Sequence, residues 1–164
     1  MSGESRALPN ISQITDYLYI SGWPRGEHAG EIRDLGVRLI LSMHWRRPVK
    51  TLGHPPVRVL WLPTVDTPLT PMPIFVLRRG VEAALPVIRQ AEKVLVHCKA
   101  GVHRSVAMAC CVLIGAGYTA DAAMRLVKDR RAVADPDVWY IRRQILRFEQ
   151  QWRQATVLTM PSTK

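Results

Sequence analysis

The chain is poor in acids, in lysine and in cysteine, and each shortage excludes something. Thirteen Asp and Glu face twenty-three Lys and Arg, a formal charge of +10. Lysine is confined to Lys50, Lys93, Lys99, Lys128 and Lys164, so arginine carries the excess. That balance excludes an acidic solvating chain and points to an anionic partner: nucleic acid, an acidic membrane surface or a phosphorylated substrate. The three cysteines, Cys98, Cys110 and Cys111, are odd in number and two are adjacent. A disulfide-framed secreted scaffold is thereby excluded, and a reducing cytoplasm is favoured. His28, His44, His54, His97 and His103 are scattered, with no second Cys pair to complete a zinc site, so no metal or other cofactor is implied. The longest apolar stretch, Val106 to Ala116, is too short to span a bilayer. The opening MSGESRALPN lacks a basic-then-apolar export pattern. What is present is 48% hydrophobic residues over 164 positions, enough for one soluble domain with a real core.

No internal repeat is found. Residues 1–7 and 156–164 read as tails flanking a single domain over 8–155. Four segments read as strands: Tyr17–Ile20, Val37–Ser42, Val57–Leu62 and Lys93–His97. The last three are continuous Val, Leu and Ile runs, as expected of strands covered on both faces. Helices are predicted over Glu27–Leu35, stopping at Gly36; from Pro71, with Pro86 kinking it or ending it early; over Arg104–Ala116, apolar on nearly every side; from Thr119 to about Arg130; and from Asp135-Pro136, with Val138, Ile141, Ile145, Phe148 and Trp152 as one stripe. Strands alternating with helices, then a helical C-terminal half, predict a single α/β domain with a mainly parallel twisted sheet flanked by helices.

One junction carries chemistry. The buried strand ending at His97 runs into Cys98-Lys99-Ala100-Gly101-Val102-His103-Arg104-Ser105 and then into the apolar helix. Ligands of parallel α/β sheets gather at such strand ends, and loop N–H groups with a helix N-terminus make an anion cradle. The helix dipole and Arg104 would favour thiolate over thiol at Cys98. A guanidinium five residues beyond the sulfur can grip two oxygens of a tetrahedral oxyanion. The bland alternative is a buried cysteine with an arginine nearby for solvation.

His97 through Ser105 resembles the signature loop of the cysteine-dependent protein tyrosine phosphatases, closest to their dual-specificity branch. Ile14-Thr15-Asp16-Tyr17-Leu18-Tyr19-Ile20-Ser21-Gly22 is similar to that family's first strand, and Leu35 to Ser42 to its second. The pattern extends from about Pro9 to Trp152. The resemblance implies two-step hydrolysis of phosphomonoesters. Cys98 would form a phosphocysteine held by Arg104 and the backbone N–H groups of Lys99, Ala100, Gly101, Val102, His103 and Arg104. Ser105 corresponds to the hydroxyl that eases departure of the thiolate, with capping or packing as its plainer role. His97 corresponds to a residue that orients the cysteine from below, a supporting position.

The family takes its proton from an aspartate on a separate loop upstream. Asp66 lies 32 positions before Cys98, and no other acid stands between Asp34 and Glu82. It would act as general acid and then as general base; a plain turn aspartate is the alternative. Cys-Lys-Ala-Gly resembles the loops of phosphoinositide and lipid phosphatases, but Val102 stands where those carry a second basic residue; otherwise Lys99 is a rim charge. Without room for long insertions the cleft should be shallow and open to phosphotyrosine, phosphoserine and phosphothreonine. Trp45, Arg46, Arg47 and Trp61 are rim candidates, with core packing the alternative for the aromatics. Cys110 and Cys111 read as packing, or as resolving thiols.

The expected partners are phosphorylated proteins or peptides, with phosphate or a similar oxyanion in the loop. No nucleic-acid recognition motif is present, so the charge implies no specific nucleic acid. A sulfurtransferase fits the x5-Arg-Ser spacing and Asp66 poorly, and a non-catalytic phospho-binding module would lack Cys98, Arg104 or the acid. Arg78, Arg79, Arg130, Arg131, Arg142 and Arg143 read as solvated helix faces. The oligomeric state is left open.

Overall fold

The structure, a computed structural model, describes residues 10–159, so the predicted tail 1–7 lies outside the described residues. Strands Ser12–Gln13 (β1), Leu18–Ser21 (β2), Val37–His44 (β3), Arg58–Thr64 (β4) and Lys93–His97 (β5) form one sheet in the order β1-β2-β5-β3-β4. β2, β5, β3 and β4 run parallel, while the short edge strand β1 is antiparallel to β2. The sheet is thus mixed, with the expected parallel majority. The helices are Ala29–Asp34 (α1), Ile74–Arg89 (α2), Arg104–Gly115 (α3), Ala120–Arg130 (α4) and Trp139–Thr159 (α5). No helix among the described residues is long and apolar enough to cross a membrane.

Both sheet faces are covered, which is why the strands read as continuous apolar runs. Leu18, Ile20, Leu39, Leu41, Val94 and Val96 point into the larger core with α2 to α5, while Tyr19, Ile40 and Leu95 point into a smaller one with Ile32 of α1 and Leu52. The period of two along each strand assigns alternate residues to opposite cores. α3 touches α2, α4 and α5 as well as β2, β3 and β5. Val106 to Leu113 are wholly buried there, in keeping with the apolar circumference of this helix.

Three helix expectations change. Pro86 does not end α2, which continues to Arg89. It lies in the last turn with Pro86 and Glu82 both exposed, so the Glu82 carbonyl that loses its helical donor faces water. α2 also starts at Ile74 rather than Pro71, after Pro73 in extended backbone. α5 starts three residues beyond Pro136, because Asp135 Oδ1 accepts the N–H groups of Asp137 and Val138 in a turn before the helix (3.2 Å each). α5 then runs to Thr159, into the segment read as a tail from 156.

The register explains the site. Ser21 of β2 and Ser42 of β3 both pair with His97 of β5, so the C-terminal ends of neighbouring parallel strands finish at one level. Segments 22–23, 45–47, 65–66 and 98–103 leave the C-terminal ends of these strands and of β4 on the same edge of the sheet.

Candidate active site

The loop from Cys98 to His103 closes tightly on the sulfur. Cys98 is 2% exposed; its Sγ accepts the Gly101 N–H at 3.2 Å and lies 3.3 Å from Ser105 Oγ. The turn that brings that N–H inward requires Gly101, whose φ is +70°. A Cβ there would meet the Ser21 carbonyl oxygen at 2.8 Å and also collide with the Arg131 guanidinium. Glycine is therefore the residue that this close approach admits.

Arg131 holds the back of the loop. Its Nε donates to the Gly101 carbonyl (2.7 Å), Nη2 to Ala100 O (3.2 Å), and Nη1 to Asn10 O (2.7 Å) and Ser12 Oγ (3.1 Å). It is 2% exposed, which overturns its reading as part of a solvated face. A charged run after a helix looks surface-bound, but the chain leaves α4 in extended backbone at Arg131 and folds the side chain inward. The Asp135 N–H donates to Val102 O (3.0 Å), tying the next loop residue to the same segment. On the other side, Trp23 N–H donates to Lys99 O (3.0 Å). The loop's outward carbonyls are thus satisfied from behind, while the Gly101 N–H turns toward the sulfur.

Arg104 is buried at the start of α3. Its Nη1 donates to Thr64 O (2.8 Å) at the end of β4, and Nε is buried without a partner among the described residues. A buried, unpartnered guanidinium N–H is costly unless a ligand accepts it, and an oxyanion fits. His97 Nδ1 donates to Cys98 O (3.3 Å), while Nε2 has no partner among the described residues. Burial brings the His97 pKa down to about 4, so the ring is neutral. Its contact with the site is this one bond to the backbone of Cys98.

Asp66 reaches the loop from the β4–α2 connection. Its Oδ2 accepts from His103 Nδ1 (2.9 Å) and its Oδ1 from Tyr140 OH (2.7 Å). The predicted acid and the predicted loop therefore meet, across 37 residues of sequence. Burial, and then the bond to Asp66, push the Tyr140 hydroxyl up to about 12, which keeps it a donor. Tyr140 and Arg131 were missed. Tyr140 is one of several aromatics on a helix, and nothing in its spacing marks it; Asp135, which stands four positions before the start of α5 and lies 3.9 Å from His103 Nε2, is a clue only to the turn.

Of the rim candidates, Trp45 is 55% exposed and lines, with Arg46 and Lys99, a cavity of about 390 Å³ beside the loop. Trp61 lies under Arg47 and donates its indole N–H to His44 O (2.9 Å). Cys110 and Cys111 are free and wholly buried, and burial pushes both thiols up. They pack the core of α3.

Comparison with known proteins agrees with this geometry. Residues 18–151 match the family described as dual specificity phosphatase, catalytic domain. The tyrosine-protein phosphatase yvh1 of Schizosaccharomyces pombe is 28% identical over 144 residues, covering 87% of this chain and 43% of that protein. The chain thus spans less than half of the yeast relative. Dual specificity protein phosphatase 22 of Mus musculus is 30% identical over 153 residues, covering 88% of this chain and 78% of the mouse protein. Among solved structures, a mouse putative dual specificity phosphatase complexed with zinc tungstate superposes with TM-score 0.77 at 25% identity, covering 96% and 97% of the two chains. PTPMT1 superposes with TM-score 0.80 at 21% identity, covering 90% and 99%.

Proposed function

Because the chain belongs to the dual-specificity phosphatase catalytic-domain family, we propose that it hydrolyses phosphotyrosine, phosphoserine and phosphothreonine in proteins through a phosphocysteine intermediate. One observation carries the reading: a buried sulfur accepts a backbone N–H and lies 3.3 Å from a hydroxyl within a loop closed by Arg104, while an aspartate is tied to that same loop through His103. In the first step the Cys98 thiolate attacks phosphorus and the ester P–O bond breaks. The leaving oxygen takes the proton of Asp66, as charge on the phosphoryl oxygens is met by loop N–H groups and by Arg104. In the second step water attacks phosphorus, Asp66 takes a water proton, and the S–P bond breaks. The Ser105 hydroxyl, 3.3 Å from the sulfur, donates to the departing thiolate. Buried Arg131 and neutral His97 hold the loop and touch no reacting atom.

A nucleophilic free thiol suits the reducing cytoplasm, which we propose as the site of action. A second reading, hydrolysis of phosphoinositides or related lipid phosphomonoesters, is favoured by one feature: Lys99 and Arg46 line the cavity beside the loop. A structure of PTPMT1 in complex with PI(5)P has the same fold, at TM-score 0.80 and 20% identity.

The test is a panel of p-nitrophenyl phosphate, phosphotyrosine and phosphoserine peptides, and phosphoinositide vesicles. Wild type should hydrolyse the ester and both peptides, and Cys98→Ser none of them. Failure of wild type on every substrate would end the reading, and vesicle hydrolysis far above peptide hydrolysis would replace it with the second.

A further inference from the structure

The cavity beside the loop is built from groups that the chemistry above leaves unused. One wall is a stack. Trp23 meets His44 edge-on (4.7 Å between centroids), His44 stacks on Trp45 (5.6 Å), and the Arg46 guanidinium lies 5.0 Å above the Trp45 ring. Lys99, immediately after the nucleophile, supplies the facing cation. His44 Nδ1 accepts the Arg46 backbone N–H (3.0 Å), which leaves the ring proton on Nε2. That N–H has no protein acceptor among the described residues. Burial, then the charges of Arg104, Arg46 and Lys99, hold His44 below its ordinary pKa. The ring is thus a neutral donor in a field of three cations.

Six of the cations elsewhere are ion-paired. Arg25, Arg38, Arg78, Lys128, Arg142 and Arg153 each lie within 4.0 Å of a carboxylate. Arg46, Arg47, Lys50 and Lys99 make no ion pair among the described residues. The loop after β3 continues the theme: Arg47 lies 4.8 Å above the Trp61 ring and, with Lys50, lines a further cavity of about 280 Å³. Each guanidinium is thus held on an indole face, with its edge N–H groups free to donate. Two cavities carrying two cations each suit an extended anionic chain better than one compact anion.

We propose that this strip, Lys99 and Arg46 followed by Arg47 and Lys50, is an acidic-peptide subsite that selects phosphopeptides with acidic residues flanking the phosphorylated one. The proposal rests on the protein-phosphatase reading above and names its substrate class. The cavity begins one residue from Cys98, so a side chain flanking the phosphoresidue falls within its reach while the phosphate occupies the loop. Flanking carboxylates would accept from Arg46, Lys99 and His44 Nε2–H, and the indole faces would cover the peptide's apolar stems. The strip also gives the +10 charge a place where encounter is steered, an effect that salt erodes.

The experiment compares kcat/KM of wild type and Arg46→Gln/Arg47→Gln on two phosphotyrosine peptides of equal length. One has Asp and Glu flanks, the other Asn and Gln. Two partly exposed ion pairs of about 0.7 kcal/mol each correspond to a preference of roughly tenfold. Wild type should favour the acidic peptide by about that factor, less at high salt. The double variant should show no more than about a twofold preference, and Arg46→Lys/Arg47→Lys should keep most of it. p-Nitrophenyl phosphate, which has no flank, reports the reaction centre: if wild type does not hydrolyse it, the phosphatase reading fails, not the subsite alone. With that ester turned over, equal wild-type rates on the two peptides would overturn the subsite. So would a preference that survives Arg→Gln. A soluble inositol bisphosphate forms the third arm: if the double variant loses rate on it and none on the acidic peptide, the strip serves a phosphorylated headgroup and the peptide assignment is wrong.

Discussion

Asp66 has both carboxylate oxygens engaged, by His103 on the phosphate loop and by Tyr140 on α5. For the general-acid role proposed above, such a clamp would aim the carboxyl before substrate arrives. Its value depends on the leaving group: an alkyl oxygen of phosphoserine needs the proton, whereas p-nitrophenolate departs readily without it. Asp66→Asn is therefore expected to cut kcat on a phosphoserine peptide by about 10² or more, within the usual range for general acids, and to cost much less on p-nitrophenyl phosphate. Equal losses on the two esters would remove Asp66 from proton transfer. Tyr140 acts through Asp66 and is a positioning residue. Deleting its hydroxyl removes one hydrogen bond worth about 1 kcal/mol, so Tyr140→Phe should lower kcat on the peptide roughly fivefold with KM unchanged. A change in KM alone, or the same loss on both esters, would reduce Tyr140 to a packing role.

At the scale of elements, the loop from Cys98 to His103 joins a strand end to a helix start, and Arg131 answers two of its carbonyls from behind. Removing a buried charge with several acceptors leaves those acceptors unpaired, a loss of about 3–5 kcal/mol. Arg131→Met should lower Tm by roughly 6–20 °C, and inorganic phosphate should no longer raise it as it does for wild type. Gly101→Ala gives an independent reading, since its Cβ would strike Ser21 O at 2.8 Å. It should abolish turnover while far-UV circular dichroism stays native, and a fully active Gly101→Ala would contradict the loop geometry. These two residues also mark how far the sequence can be read. β5, the loop, α3 and the Asp66 loop were legible because a continuous apolar run, a Gly-containing turn and an isolated acid are local signals. β1 has two residues and owes its pairing to β2, so no pattern of its own announces it. Arg131 and Tyr140 act on residues 30 and 74 positions away, and their roles exist only once the strand ends converge.

For the whole molecule, charge and burial combine to set an acid limit. The net charge is already +10, and every one of the thirteen carboxylates that takes a proton increases it, so self-repulsion grows as pH falls. His97 adds a separate contribution, because burial holds its pKa at about 4 against an ordinary 6.5. A group whose folded pKa is depressed binds fewer protons in the native state than in the unfolded state between those two values. Stability therefore rises with pH through that window, is fully present above about pH 6.5, and is lost as pH falls toward 4. The shift sets an upper bound of about 3 kcal/mol on this contribution. The two effects separate by salt, since screening reaches charges at the surface and hardly touches a ring with no exposure. Urea unfolding at pH 7 and pH 4.5, in low and high salt, should show wild type losing stability at the lower pH in both, with the salt-resistant part absent from His97→Asn. If wild type and His97→Asn lose stability equally at high salt, then His97 is not a buried neutral group, and its bond to the backbone of Cys98 would have to be reconsidered with it.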